Sequence, residues 1–423
     1  MIKQLVSIVF AVTVAVAESP LVSIDGVGAK AQGMGNNYTA IANDYSAVFW
    51  NPSGLAFIPV REIHVGMNIT GMSTETELGT YNRLLRKSQF RFGSAGLVRS
   101  IPTTQGGFAF ALGYSSPYSF MDVYRFNGFD IYSNPTPGEV LSNGGDNYLR
   151  YGDTLWYDDF KSVSRGGLGM WSAAAGWQVA EGFGVGLTAS YLYGKQMNHR
   201  AILTHNRRGV FDNVSDLATE TVYSGFDLRL GAMYKPNSIV SAGVRIEIPQ
   251  IVAYRTLQRY AGYDQVYKST GILRSSLTGA FGLALTLPFA TVAADISARS
   301  PNPDFTDGDL AYWKVGAGGG VEVPLTKINT ILRAGYGWKE YDMYPYADYK
   351  NDMLLTDTAV TTRGTDVHEI SAGATFVLSK NITFDLSYNN SFFTTQSFYT
   401  DWKNNVEKRY SANRFECVLA IRY

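Results

Sequence analysis

The chain has 423 residues, 36 basic and 36 acidic side chains, a formal net charge of zero and 45% hydrophobic residues. Balanced charge argues against a nucleic-acid partner, which needs a basic surface, and the single cysteine, Cys417, excludes an internal disulfide or a thiolate metal cage. Beyond the first residues no apolar run approaches the roughly 18 residues that a membrane helix requires. The first element is an export signal over residues 1–17. Lys3 supplies the positive start, Leu5 to Val14 the apolar core, and Ala15-Val16-Ala17 a small-x-small cleavage site.

Residues 18–60 read as a plug, a compact segment folded inside a barrel that residues 61–423 build. Gly28, Gly33 and Gly35 allow tight backbone geometry, Thr39 to Phe49 is compatible with a helix, and Asn51-Pro52-Ser53-Gly54 closes the segment with a turn. Three stretches here carry a resemblance: Gly28-Ala29-Lys30-Ala31-Gln32-Gly33-Met34-Gly35, Ala40-Ile41-Ala42-Asn43-Asp44-Tyr45-Ser46-Ala47, and Asn51-Pro52-Ser53-Gly54-Leu55. Together the segment resembles the N-terminal signature of the FadL/TodX family of outer-membrane transporters of hydrophobic compounds. Ser53 stands where that family usually has alanine, and Glu18-Ser19-Pro20 stands where its fatty-acid members open with Gly-Phe. The resemblance implies a hatch of Gly33, Gly35, Asn51, Pro52 and Gly54 that blocks a lumen and shifts when ligand binds; the alternative is a static N-terminal anchor that fills a barrel too wide for side chains alone.

From Arg61 onward the chain alternates. Ile63, Val65, Met67 and Ile69 are apolar, whereas Glu62, His64, Asn68 and Thr70 are polar, a period of two that gives a strand one face of each kind. The same pattern recurs through Gln89 to Arg99, Phe108 to Tyr114, Trp171 to Val179, Val185 to Tyr193, Phe226 to Tyr234 and Val240 to Ile248. It continues through Leu277 to Leu287, Val292 to Ala298, Trp313 to Val323, Leu332 to Trp338, Ile370 to Leu378, Ile382 to Tyr388 and Phe415 to Tyr423. About fourteen strands result, an even number as bacterial barrels require.

Alternation also suits a soluble sandwich, so the connections decide. Short ones fall near 100–106, 180–183, 235–239, 288–290, 324–330 and 379–381, and long ones near 73–87, 117–165, 195–218, 254–272, 301–311, 339–365 and 390–408. Brief turns at one rim and long loops at the other mark a transmembrane barrel. The expected fold is therefore all-β: a transmembrane antiparallel β-barrel of about 14 strands with an N-terminal luminal plug. Tyr114, Trp177, Tyr191, Tyr234, Tyr336 and Trp338 near strand ends suit interfacial girdles. The final alternating strand ending in Tyr423 resembles the C-terminal signal read by the barrel assembly machinery. Surrounding lipid and lipopolysaccharide are the remaining expected partners, and the location is the bacterial outer membrane.

Chemistry-bearing motifs are few. There is no Gly-x-Ser-x-Gly elbow, His-Glu-x-x-His pair or phosphate loop, and His64, His199, His205 and His368 lack ligand spacing. No enzyme activity, cofactor or metal is expected; Asp146, Asp153, Asp158 and Asp159 match no EF-hand spacing and read as a solvated loop. The stretch after the third strand is unusually apolar, and Phe120, Met121, Tyr124, Phe126 and Phe129 are the candidate lining of a groove that captures a greasy ligand. The alternative is that this stretch folds over the barrel mouth, against 341–355. Lumen arginines (Arg91, Arg229, Arg245, Arg333) are candidates for a ligand carboxylate, or for pairing with lumen acids such as Asp295, Glu322 and Asp385.

The resemblance implies passive uptake of hydrophobic molecules, long-chain fatty acids or aromatic hydrocarbons, by extracellular capture, hatch movement and lateral release. Two rivals stay open: a PorV-like shuttle in protein secretion, and a plugged aqueous porin.

Overall fold

The computed structural model describes residues 26–78, 81–103, 106–129, 141–142, 148–149, 156–206, 212–261, 266–301, 313–341, 365–399 and 404–423. Its strands are β1 (Glu62–Leu78), β2 (Tyr81–Pro102), β3 (Gly107–Ser119), β4 (Asp122–Phe129), β5 (Leu141–Ser142) and β6 (Tyr148–Leu149). Next come β7 (Trp156–Ala180), β8 (Phe183–Asn206), β9 (Asp212–Tyr234), β10 (Val240–Tyr260), β11 (Val266–Arg274) and β12 (Thr278–Thr286). The last six are β13 (Thr291–Arg299), β14 (Lys314–Leu325), β15 (Thr330–Tyr341), β16 (Thr365–Val377), β17 (Ile382–Tyr399) and β18 (Asn404–Arg422). Fourteen of them close an antiparallel barrel in the order β1-β2-β3-β7-β8-β9-β10-β12-β13-β14-β15-β16-β17-β18. The seam pairs β18 back to β1, from Glu62↔Arg422 to Glu77↔Glu407. β4 pairs with the upper part of β7, β11 with the upper part of β10, and β5 with β6.

The expected alternation holds around the wall. Along β1, Ile63, Val65, Met67 and Ile69 point outward, while Glu62, His64, Asn68 and Thr70 point inward and are buried. The outward belt includes Phe90, Leu112, Phe226, Leu230, Val244, Leu283, Ile296, Leu332, Ile370 and Leu419, all exposed. Water penalises an apolar band of this extent, whereas hydrocarbon takes up each such side chain with a gain of about 1.5–3 kcal/mol. Trp171, Trp177, Tyr193, Tyr234, Tyr336 and Tyr423 are exposed on the same face, as interfacial girdles are. No helix among the described residues is long and apolar enough to cross a membrane; the crossing is made by strands, whose closure leaves few unpaired edges in lipid.

The short connections fall where expected, for instance between Ala180 and Phe183 and between Val377 and Ile382. Several of the long ones are strand where the structure describes them. β1 and β2 continue to Leu78 and from Tyr81, β8 runs to Asn206, β9 starts at Asp212, β17 reaches Tyr399 and β18 starts at Asn404. These stretches lengthen the hairpins with mixed sequences, such as Leu84-Leu85 and Phe392-Phe393, in which a period of two no longer shows in hydropathy. Asp158 and Asp159 lie on β7 rather than in a loop; Asp146, Asp153 and the stretch 342–364 are outside the described residues.

Candidate functional site

Residues 26–60 fold within the barrel. A helix at Ala29–Gly33 is followed by left-handed Gly35 (φ 68°) and Asn36 (φ 64°), which reverse the chain. The Asp44 carboxylate then accepts from the Ser46 amide at 2.9 Å and starts the single turn Ala47–Trp50. Pro52 opens a 3-10 turn, Pro52–Phe57, at the first position, where a missing N–H costs nothing. Asn51 joins these pieces. Its carbonyl oxygen accepts from the Ser53 amide (3.2 Å) and hydroxyl (2.6 Å), and its amide donates to the Thr39 carbonyl (2.8 Å) and to the Ala232 carbonyl on β9 (3.2 Å). Gly54 sits against the Ala42 carbonyl and Gly33 against Gly373 of β16, with no room for a side chain at Gly54.

Barrel side chains tie this hatch on several sides. The Gly28 amide donates to Glu416 (3.0 Å), Gln32 to the Arg414 carbonyl (2.8 Å) and Asn36 to Glu369 (3.0 Å). The Thr39 amide donates to Asp295 and the Tyr45 amide to Glu62, both at 2.9 Å. Between these ties the wall is stripped to backbone. A Cβ at Gly96 would enter the Tyr45 ring, and one at Gly186 would overlap the Pro52 carbonyl. Gly231, Gly243 and Gly335 meet Asn51, Thr39 and Met34 in the same way. The charged ties were visible in the sequence only as inward residues, and the glycine seats only as an unusual number of Gly; neither names its partner.

Beneath Tyr45, His64 Nε2 lies 2.9 Å from Ser94 Oγ, and His64 Nδ1 lies 3.8 Å from Glu62. The order is that of a hydrolytic triad, but all three residues are at most 1% exposed and the Tyr45 ring covers the imidazole at 5.2 Å. With no substrate access, the trio acts as packing between hatch and wall.

Above the hatch the third barrel strand is interrupted. Pro117 cannot donate to the ladder; the β3–β7 register shifts between Ser115 and Tyr118, and β2–β3 pairing ends at Ser94↔Ser115. The chain then turns inward at Phe120-Met121, and β4 pairs with β7 alone among the described residues. Side chains bridge the gap so left. Arg91 Nη1 donates to the Tyr118 carbonyl at 2.7 Å, Arg91 Nη2 to Ser116 Oγ, and the Gly166 amide to Gln89 Oε1 at 3.1 Å.

Of the candidate ligand residues, Phe120, Met121, Tyr124 and Phe126 are brought together and buried. Phe126 stacks on Phe160 at 4.8 Å, Tyr124 faces Lys408 Nζ at 3.7 Å, and Met121 and Val123 pack with Met72 and Ala412 of the opposite wall. Phe129 ends β4 opposite Tyr157. The stretch is thus not an open extracellular patch but a strand folded into the barrel mouth, because its apolar side chains find partners on β1, β7 and β18. Phe120 and Tyr118 belong to a separate cluster, packed with Phe49 and Trp50 of the hatch and with Leu168, Met170 and Leu192.

The lumen arginines are held by protein groups. Arg229, fully buried, pairs with Asp227 (2.8 Å) and Glu247 (3.2 Å) and donates to the Phe49 carbonyl at 2.9 Å. Arg333 pairs with Glu322 at 2.7 Å and donates to Thr375 at 2.6 Å. Arg245 lies over the Trp50 ring at 5.5 Å and helps line a cavity of about 200 Å³ between the hatch and β10–β16, with Glu247, Asp295 and Lys339. Sequence reasoning missed that cavity and the Arg91–Tyr118 bridge; Pro117 inside a strand was the available signal for the second.

Among solved structures, the P. putida toluene transporter TodX superposes with a TM-score of 0.58 at 12% identity, over 95% of this chain and 99% of that one. A Pseudomonas aeruginosa FadL homologue gives 0.60 at 12% identity, covering 94% and 99%. The Ralstonia pickettii toluene transporter TbuX gives 0.56 at 12%, covering 95% and 99%. The chain has the fold of these barrels. No protein-family model and no curated relative matches the sequence.

Proposed function

We propose that the chain is a passive conduit for hydrophobic small molecules across the bacterial outer membrane. One observation carries the reading: an apolar cluster runs from Phe120 and Tyr118, at the foot of β4, to Phe49 and Trp50 of the hatch, beside a gap in a wall that faces lipid. A greasy solute moving along it stays out of water, which lowers its barrier to crossing. The resemblance of the hatch sequence and the fold shared with toluene transporters and a FadL homologue support this choice of solute. In this reading solute enters between β4 and the opposite wall, displaces Phe126 and Phe120, and leaves sideways past the Arg91 bridge or downward as the hatch shifts. Gly33, Gly35, Asn51, Pro52 and Gly54 shape the hatch. Arg229 and Arg333 act on the ligand only if solute displaces their present partners.

The test is uptake of radiolabelled toluene and of radiolabelled oleate by cells with and without the gene. Uptake of at least one rises several-fold with the protein present. Unchanged uptake of both, together with ion conductance in planar bilayers, would overturn the reading in favour of an aqueous pore.

A further inference from the structure

We propose that Tyr118 couples the hatch to the gap in the wall, so that the two loosen together; its purpose rests on the transport reading above, though its test does not. The residue is gripped at both ends. Its carbonyl accepts from Arg91 across the gap at 2.7 Å, where Pro117 has removed the backbone donor that would continue the ladder. Its hydroxyl accepts from Arg229 at 3.0 Å and from Gln250 at 3.1 Å.

Arg229 is the fixed point. Asp227 and Glu247 hold it on the barrel, and with its remaining donor it takes the Phe49 carbonyl of the hatch at 2.9 Å. The guanidinium also lies 4.0 Å from the centre of the Phe49 ring, which the Tyr118 ring meets edge-on at 6.3 Å. One fully buried cation therefore holds the strand break and the end of the hatch helix at once.

Widening the gap means moving β3 and β4 outward from β2. That motion breaks the Arg91 bond and withdraws the Tyr118 hydroxyl from Arg229 and its ring from Phe49. Phe49 and Trp50 then lose one wall, on the side where they already line the cavity of about 200 Å³. Half-open arrangements leave buried polar groups without partners, which penalises them relative to the two end states.

Hydrogen exchange at the Trp50 and Asn51 amides, read on purified protein in detergent without solute, tests the coupling by a double-mutant cycle. Arg91→Met, which cuts only the bridge across the gap, speeds exchange at these amides tenfold or more. In a Tyr118→Phe background, which removes the hydroxyl, the same substitution has an effect of threefold or less. No acceleration in Arg91→Met, or equal acceleration in both backgrounds, overturns the proposal. Heat-modifiable migration on a gel verifies that each variant has assembled. Should Arg91→Met fail to assemble, Gln89→Leu replaces it, cutting the bond to Gly166 with the same expected pair of results. Coupled exchange without solute uptake would sink the transport reading alone, and uptake with uncoupled exchange would sink this proposal alone.

Discussion

Below Ser94 and Ser115 the barrel and hatch meet backbone to backbone, over glycines such as Gly186 and Gly243, and β2 and β3 are paired. Above them the wall is interrupted and spanned by the side chains of Arg91 and Gln89, with the aromatic strand β4 stowed inside. Backbone contacts at glycine leave nothing that can rotate away, so the lower region opens only by moving the whole hatch. Side-chain bonds to carbonyls and hydroxyls contribute about 0.5–1.5 kcal/mol each, or about 1.5–3 kcal/mol with a charged partner. They are released by side-chain rotation, with no backbone seat to clear. One sheet thus joins a rigid backbone-packed region to a region held by labile side-chain bonds, which serve as seal and passage in the proposed function.

The sharpest way to break this contrast is Gly186→Leu. The new side chain has only the Pro52 backbone to push against, and the hatch is expected to lose its seat, seen as a large rise in bilayer conductance or failure to reach the heat-modifiable form. Phe126→Asp attacks the other region. Removing the ring from Phe160 costs about 3–5 kcal/mol before any charge is buried, so β4 should become protease-sensitive and uptake fall at least tenfold, with the barrel still assembled. An unchanged uptake would show that β4 takes no part in capture; Phe126→Asp with Phe129→Asp gives the same direction. Asn51→Ala removes four bonds within the hatch and to β9 and is expected to weaken the hatch by about 2–4 kcal/mol, measured as faster exchange of hatch amides.

The smallest effect is on pH dependence. Burial pushes the hydroxyls of Tyr38 and Tyr45, both in the hatch, above their ordinary value near 10, with Asp44 adding to the effect at Tyr38. The folded hatch keeps these protons when the unfolded chain has lost them. Stability from this source is therefore intact below pH 10 and declines as pH rises beyond it. Absorbance titration should show these two of 28 tyrosines ionising only with unfolding; ionisation with the rest in the folded barrel would contradict the burial.

Much of the barrel was legible in the sequence because lipid and lumen impose opposite chemistry on alternate residues, as from Ile63 to Thr70. The signal fades where that opposition ends. From Thr74 to Leu78 and from Lys195 to Asn206 polar and apolar residues no longer alternate, as at Ala201-Ile202-Leu203, so strand and loop look alike. β4 is ambiguous for the converse reason: the apolar run of Val123, Tyr124 and Phe126 suits both an exposed groove and a segment packed over the barrel mouth, and pattern alone does not choose between them. The hatch announced itself through Gly35, Asn51 and Pro52, whose backbone demands are local. Its ties to Asp295, Glu369 and Glu416 were hidden because periodicity assigns a face to a residue but never a partner hundreds of positions away.

The seam between β1 and β18 joins the two ends of the sheet, and Gly28 and Gln32 bind to that last strand through Glu416 and Arg414. Until the ribosome has finished the final residues there is no enclosed interior to be stoppered. The stopper, although made first, must wait in an unrolled sheet and be caught by the closing edge. Biogenesis is accordingly ordered from the end of the message: a chain cut short of Arg414 would lack both its last zipper and two of the clasps that keep its cork in place.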